Sequence, residues 1–313
     1  MRRLRAWALA ATIATYALIF VGGFVRVSGA GLGCPDWPKC FDRWIPPTDV
    51  SQLPPTIDPT TFNITLAWIE YVNRLIGVTI GLFILVTAIM ALVKARKYPR
   101  ILYPALAALV LVAIEGWQGG EVVGSKLAPF IVTIHMVLAF LIASLLTYTT
   151  LQTHYVITAS GTRPSPASRI NTRGLGVLWA LSIIAIGLGT QVRSRIETQM
   201  AVTPGVDELS VLSQIGAVHI WHLIIGGLVV LATWYYGLRV VARRDEWQSA
   251  LVTRSAWSLM IVATIQVAVG IILVAVELPA LLRVFHLWMS SFYIGILLIL
   301  HFALRHAGRP SHG

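Results

Sequence analysis

Four histidines, His135, His219, His222 and His286, sit where a duplicated helical unit would repeat them, and imidazole is the side chain best suited to bind a transition metal or a haem iron. Residues Ile69 to Gly77 (IEYVNRLIG) line up with Val218 to Gly226 (VHIWHLIIG) at an offset of 149, which sets Glu70 over His219 and Asn73 over His222. His135 lines up with His286 at an offset of 151. Gly22 to Arg26 echoes Gly189 to Arg193 at 167, the excess fitting a longer loop after the first apolar run. Polar groups inside apolar segments are costly without a partner, so repeated imidazoles on paired apolar helices point to bound metal or haem in at least one half.

A haem in a helical bundle needs two axial ligands from facing helices at similar depth, with small residues nearby to admit the flat ring. His222 and His286 meet that demand, with Gly226, Gly227, Ser290 and Ser291 as small neighbours. His219, one turn before His222, is the rival ligand, and the repeat register favours His222 because it keeps Gly77 over Gly226. In the first half His135 has its counterpart, but Asn73 stands where a second histidine is expected. A ring held there has at most one strong axial imidazole, which suits a substrate that must arrive and leave.

Glu70 is a carboxylate within a span, a placement that costs about 2.5–3.5 kcal/mol on insertion scales and marks a cavity or a partner. Arg74 follows four residues later, so an ion pair that only secures the helix stands beside the functional alternative of a proton acceptor. Arg26 and Arg193 end the first span of each half and could grip haem propionates in bidentate fashion or simply snorkel to headgroups. Cys34 and Cys40 are the only cysteines, and facing an oxidising compartment they can pair. A structural staple and a redox-active dithiol both fit that spacing.

The elements that must position these groups are membrane spans. The chain is 57% hydrophobic and 12% charged, which makes it an all-α polytopic membrane protein. Eight transmembrane helices are expected, at residues 7–27, 66–93, 101–120, 129–150, 174–193, 214–238, 255–276 and 281–304. The first run is too long for a signal-peptide core and is expected to stay as the first helix. Basic residues at 2, 3, 5, 94, 96, 97, 100, 163, 169, 173, 239, 243, 244, 254, 305 and 309 fall on one side, which makes that side, with both termini, cytoplasmic. Asp245 and Glu246 alone among the acids join them. The net charge of +11 therefore answers to topology and anionic membrane lipid and not to nucleic acid, for which no soluble basic face exists.

Two pseudo-symmetric four-helix bundles in tandem follow from the repeat: residues 1–157 with an irregular, proline-rich outer loop at 28–65, a cytoplasmic linker at 158–173, and residues 174–313. Each half holds an even number of spans, so both insert the same way. Glu70, Asn73, His135, His219, His222 and His286 then lie within roughly 15 Å of the outer surface at 1.5 Å per residue.

The run GGFVRVSGAGLGCPDWPKC from Gly22 to Cys40, together with Glu70 to Gly77, Leu127-Ala128-Pro129 before His135, and Leu188 to Arg193, resembles the heme A synthase family over almost the whole chain. The resemblance implies an eight-helix oxidoreductase in the cell membrane that oxidises the C8 methyl of heme O to a formyl group, giving heme A for terminal oxidases. It implies a heme b cofactor between His222 and His286, substrate haem at His135 near Asn73 and Arg74, catalytic Glu70, and Cys34 with Cys40 in electron or haem handling. Heme O synthase, the protoheme farnesyltransferase, is the implied donor of substrate, with an electron acceptor the sequence does not identify and a possible homo-oligomer. Two departures stand out: Asn73 replaces a histidine found in many members, and the segment 194–213 lacks the second cysteine pair of some. A non-catalytic di-haem carrier of the cytochrome b type would instead hold two bis-imidazole haems, which Asn73 disfavours. A haem transporter or chaperone would exchange haem without oxidising it.

Overall fold

Long runs of Leu, Ile, Val and Ala leave the backbone no partner in a bilayer but itself, and here they fold as helices. The computed structural model describes residues 1–158, 172–203, 205–206, 208–247, 249–276 and 279–306. Arg163, Arg169, Arg309 and most of the 158–173 linker lie outside the described residues. The helices are α1 (Arg2–Val27), α2 (Ile64–Lys94), α3 (Pro99–Gly124), α4 (Pro129–Thr158), α5 (Thr172–Val202), α6 (Glu208–Gln214), α7 (Ala217–Val241), α8 (Ala250–Ala275) and α9 (Ala280–His306). All but α6 are long and apolar enough to cross a membrane, eight spans in all among the described residues.

The helices outrun the apolar windows, chiefly at α5. The stretch from 194, expected as loop, continues the helix to Val202 and adds α6. Local chemistry explains the extension: Arg193 Nε pairs with Glu197 Oε1 one turn on at 2.7 Å, and Thr198 and Thr203 return their hydroxyls to carbonyls four residues back.

Packing follows residue size. Ala8, Ala11, Ala88, Ala91, Ala105 and Ala108 are buried, while Ile13, Leu82, Leu231 and Ile271 point outward. Small residues let helix backbones approach where no hydrophobic drive separates protein from lipid. α1 packs on α2 and α4, and α3 packs on the same two, closing a ring of four. α5, α7, α8 and α9 close a second ring, and the rings meet through α1–α9, α4–α5 and α4–α9. Half of the α9 span is buried inside the protein against 11% for α7, so α9 is a seam helix and α7 a lipid-facing one. At the seam Trp288 Nε1 donates to the Tyr16 carbonyl at 3.0 Å, and Gln191 Nε2 donates to Thr133 Oγ1 at 2.9 Å.

Within 28–65 the chain forms short 3-10 turns at Ala30–Leu32, Val50–Gln52 and Pro59–Thr61, and Cys34 and Cys40 form a disulfide. Asn63 caps α2 by accepting the Leu66 N–H at 3.1 Å.

Candidate functional site

The disulfide loop is fastened to α2 by two charged side chains. Buried Glu70 accepts the Cys34 N–H on Oε2 at 2.8 Å and pairs through Oε1 with Arg74 Nη2. Arg74 Nη1 in turn donates to the carbonyls of Asp36 at 2.9 Å and Lys39 at 2.7 Å. The ion pair therefore does more than secure the helix: it ties both ends of the loop to one turn of α2. Asp36 closes the loop from inside by accepting the N–H groups of Phe41 at 2.6 Å and Asp42 at 2.9 Å, two residues held at positive φ. Beyond the spans, the ammonium of Lys39 holds the Asp42 carboxyl below its ordinary range.

Gly33 permits this seat, because a Cβ there would overlap the Leu66 carbonyl on α2. Backbone cannot yield as a flexible side chain can, so Gly33→Ala is expected to lift the loop. Faster alkylation of Cys34 and Cys40 after mild thiol treatment, read by mass, is the expected outcome; an unchanged rate would mean the contact is not limiting.

The loop also reaches α3. The Trp37 ring lies where a Cβ on Gly120 would stand, at 2.9 Å, and the adjacent Gly119 faces His135 Cε1 at 3.9 Å by the same measure. One turn of α3 thus brings the disulfide loop and the His135 imidazole side by side. His135 sits six residues into α4 and His286 six residues into α9, and both belong to the end of the molecule that carries the cysteine loop.

α2 and α4 are diagonal in the first ring, as are α7 and α9 in the second, so each potential ligand pair sits on diagonal helices. His222 Nδ1 lies 3.0 Å from the Ala185 carbonyl. A carbonyl only accepts, so Nδ1 carries the hydrogen and Nε2 keeps its lone pair for a metal. His286 is near enough to His222 for the two rings to interact electrostatically, and its Nδ1 is buried without a hydrogen-bond partner. His219 also lies within electrostatic reach of His222 but is not diagonal to it. Asn73 Oδ1 is likewise buried and unpartnered.

Ala185 and Gly189 form the seat for the His222 ring: a Cβ on Gly189 would stand 2.9 Å from Cε1. At Gly22, the counterpart of Gly189 in the first half, an added Cβ meets nothing within 4 Å. Gly226 and Gly227, the small neighbours on α7, also face open space. These features fit a porphyrin: an imidazole whose Nε2 keeps its lone pair, orphaned polar atoms and room beside the ring. Among the described residues no three His, Cys, Asp or Glu side chains converge as a bare metal ion would require, whereas porphyrin supplies the remaining donors itself. Gly189→Ala is accordingly expected to tilt His222 and shift or abolish the low-spin haem spectrum of the second ring, while Gly22→Ala leaves all spectra unchanged.

Arg26 and Arg193 do not stand apart, one per half. Both reach Glu197, Arg26 Nη2 at 2.7 Å to Oε2 and Arg193 Nε at 2.7 Å to Oε1, and Arg26 Nη2 also donates to Ser194 Oγ at 2.6 Å. Arg193 lies within α5 and not at its end, because the helix extends past it. Glu197 escapes sequence reading because its segment has no apolar period. A second overlooked residue, Glu115 on α3, has a carboxyl oxygen 3.3 Å from His135 Nδ1.

Eight spans in two helical rings, with a buried ion pair under a disulfide loop, define a polytopic membrane protein. The chain belongs to the COX15-CtaA family, described as cytochrome oxidase assembly protein, whose profile matches residues 5–298. It is 33% identical to heme A synthase of Shewanella oneidensis over 144 residues, 45% of this chain and 43% of that one. To heme A synthase of Geobacillus kaustophilus it is 31% identical over 134 residues, 43% of this chain and 37% of that one. In these alignments the chain spans less than half the length of either relative. Heme A synthase of Sinorhizobium fredii is 24% identical over 343 aligned positions, covering 97% of this chain and 89% of the relative.

Proposed function

We propose that this protein is a heme A synthase, an oxidoreductase that converts the C8 methyl of heme O to the formyl group of heme A for use in terminal oxidases. The observation that supports the proposal is the inequality of two matched pairs of diagonal helices: α7 and α9 carry His222 and His286 in one ring, while α2 and α4 carry Asn73 and His135 in the other. A permanent carrier suits the first and a transient guest the second.

His222 and His286 would hold heme b, which supplies one-electron redox chemistry when bound. The hydrogen bond to Ala185 fixes the His222 tautomer, and the missing Cβ of Gly189 leaves its ring free to align. His135 would take the iron of heme O, with Asn73 too weak a donor to lock the opposite face. An apolar groove of about 280 Å³ between α1 and α2, lined by Ala14, Ala17, Val72, Ile76 and Phe83, flanks Asn73 in sequence and suits the farnesyl tail. Arg26 and Arg193, brought together at Glu197, would offer guanidinium donors to a propionate.

Glu70, a carboxylate that uses one contact on each oxygen, would accept the proton of a water that adds to the oxidised carbon. Its hold on the Cys34–Cys40 loop keeps that loop beside the His135 site. The basic residues gathered at the opposite end of the spans put that end in the cytoplasm of the cell and the haem sites in the outer leaflet. Substrate then arrives from heme O synthase through the membrane, and electrons leave to a separate acceptor.

Purified protein supplied with heme O and an oxidant is expected to yield heme A, identified by mass after extraction. Recovery of unaltered heme O from protein that has bound it and retains heme b would overturn the proposal in favour of a carrier or a haem chaperone.

A further inference from the structure

The two rings differ at a second position. Glu115 and Gln266 stand 151 residues apart, as do Gly119 and Gly270 and as do His135 and His286. The glycines occupy the same place in both halves, since a Cβ on Gly119 would lie 3.9 Å from His135 Cε1 and one on Gly270 would lie 3.5 Å from His286 Cε1. Glu115 and Gln266 sit one turn before those glycines on α3 and α8.

Their partners are not the same. Gln266 Nε2 donates to Ser290 Oγ at 2.6 Å, and Ser290 returns its hydroxyl to the His286 carbonyl at 3.1 Å. At the position equivalent to Ser290 the first half has Ala139, which offers no oxygen. Glu115 instead turns Oε1 to within 3.3 Å of His135 Nδ1, and its Oε2 is buried with no partner. The contact falls short of the alignment of a formed hydrogen bond, and a small rotation of the His135 ring completes it. No other hydrogen-bond partner competes for His135 Nδ1.

We propose that Glu115 is the positioning residue of the His135 site: it accepts the Nδ1 hydrogen and so turns Nε2 toward the iron of a bound porphyrin. A carboxyl oxygen serves this purpose in either protonation state. Metal-binding histidines nearly always have such an outer partner, and losing it typically weakens metal binding by about 10–100-fold. Gln266 Nε2 is engaged by Ser290, and neither Gln266 Oε1 nor His286 Nδ1 has a hydrogen-bond partner, so the His286 imidazole lacks the contact that Glu115 Oε1 makes with His135 and the two halves differ in how the imidazole is oriented.

The inference rests on the assignment of His135 as a haem ligand, and the experiment separates the two. A ferrous haem with one imidazole shows an iron–histidine stretch in resonance Raman that a bis-imidazole haem does not, so the band reports the first ring alone. Wild-type protein loaded with haem is expected to show it. Glu115→Leu should lower its frequency and weaken retention of that haem by about 10-fold or more, whereas Glu115→Gln, which keeps an acceptor oxygen, restores retention with a smaller shift. The low-spin spectrum from His222 and His286 should persist in both variants and reports that they are folded. An unchanged band and unchanged retention in Glu115→Leu would overturn the role of Glu115 while leaving His135 as the ligand. Absence of any such band from wild-type protein that carries a second haem would overturn the ligand assignment itself.

Discussion

Replacing Glu70 with alanine is expected to stop heme A formation while heme b stays bound. The carboxylate is proposed to take a proton beside the anchoring role seen on α2, and alanine removes both. It accepts the Cys34 N–H and neutralises Arg74, which in turn grips the Asp36 and Lys39 carbonyls. Breaking a buried pair by deleting one partner strands the other charge, at a cost of about 3–5 kcal/mol, and the loop that covers the His135 side of the ring loses its anchor. Loss of a proton acceptor alone lowers turnover by about 10²–10⁴-fold. Glutamine keeps one acceptor oxygen, enough for the Cys34 N–H, but loses the charge opposite Arg74 and takes no proton at neutral pH. Heme A produced per heme b, read beside the alkylation rate of Cys34 and Cys40 after mild thiol treatment, is the measurement. Glu70→Gln as inactive as Glu70→Ala with the loop still protected would assign the proton role, and Glu70→Gln near wild type would assign the anchoring role alone.

Removing either imidazole of the second ring should empty that ring of haem and leave the first ring able to bind. His222→Ala and His286→Ala each delete a direct iron ligand, so the loss of affinity should exceed the roughly 10–100-fold that outer-shell losses produce. His219→Ala should keep the low-spin spectrum, because it is His222 whose Nδ1 is fixed by the Ala185 carbonyl and which lies within electrostatic reach of His286. Haem content and optical spectra of the three purified variants decide the matter. A low-spin spectrum that survives in His222→Ala and vanishes in His219→Ala would reverse the ligand assignment.

The spans were legible because apolar runs longer than a bilayer admit few folds, and each of the eight expected segments lies within or nearly within a long helix. The ion pair between Glu70 and Arg74 follows from their spacing on a helix. What it holds does not: the amide of Cys34 and the carbonyls of Asp36 and Lys39 carry no side-chain signature. Convergence of Arg26 and Arg193 on Glu197 is equally hidden, since it depends on how α1 meets α5 across the seam. Glu115 was within reach. Its offset of 151 from Gln266 is that of the histidine pair, and an acid in a span stands out on cost alone. The contrast between Ser290 and Ala139, which gives Gln266 Nε2 a partner in one half and has no counterpart beside Glu115 in the other, needs the packed helices to acquire meaning.

The most direct test is to purify the protein from cells that also make heme O, extract its haems and identify each by mass. One heme b per chain accompanied by heme O or heme A is the predicted result. Two heme b per chain, or protein that binds no haem when haem is plentiful, would contradict the account of one permanent and one exchangeable site.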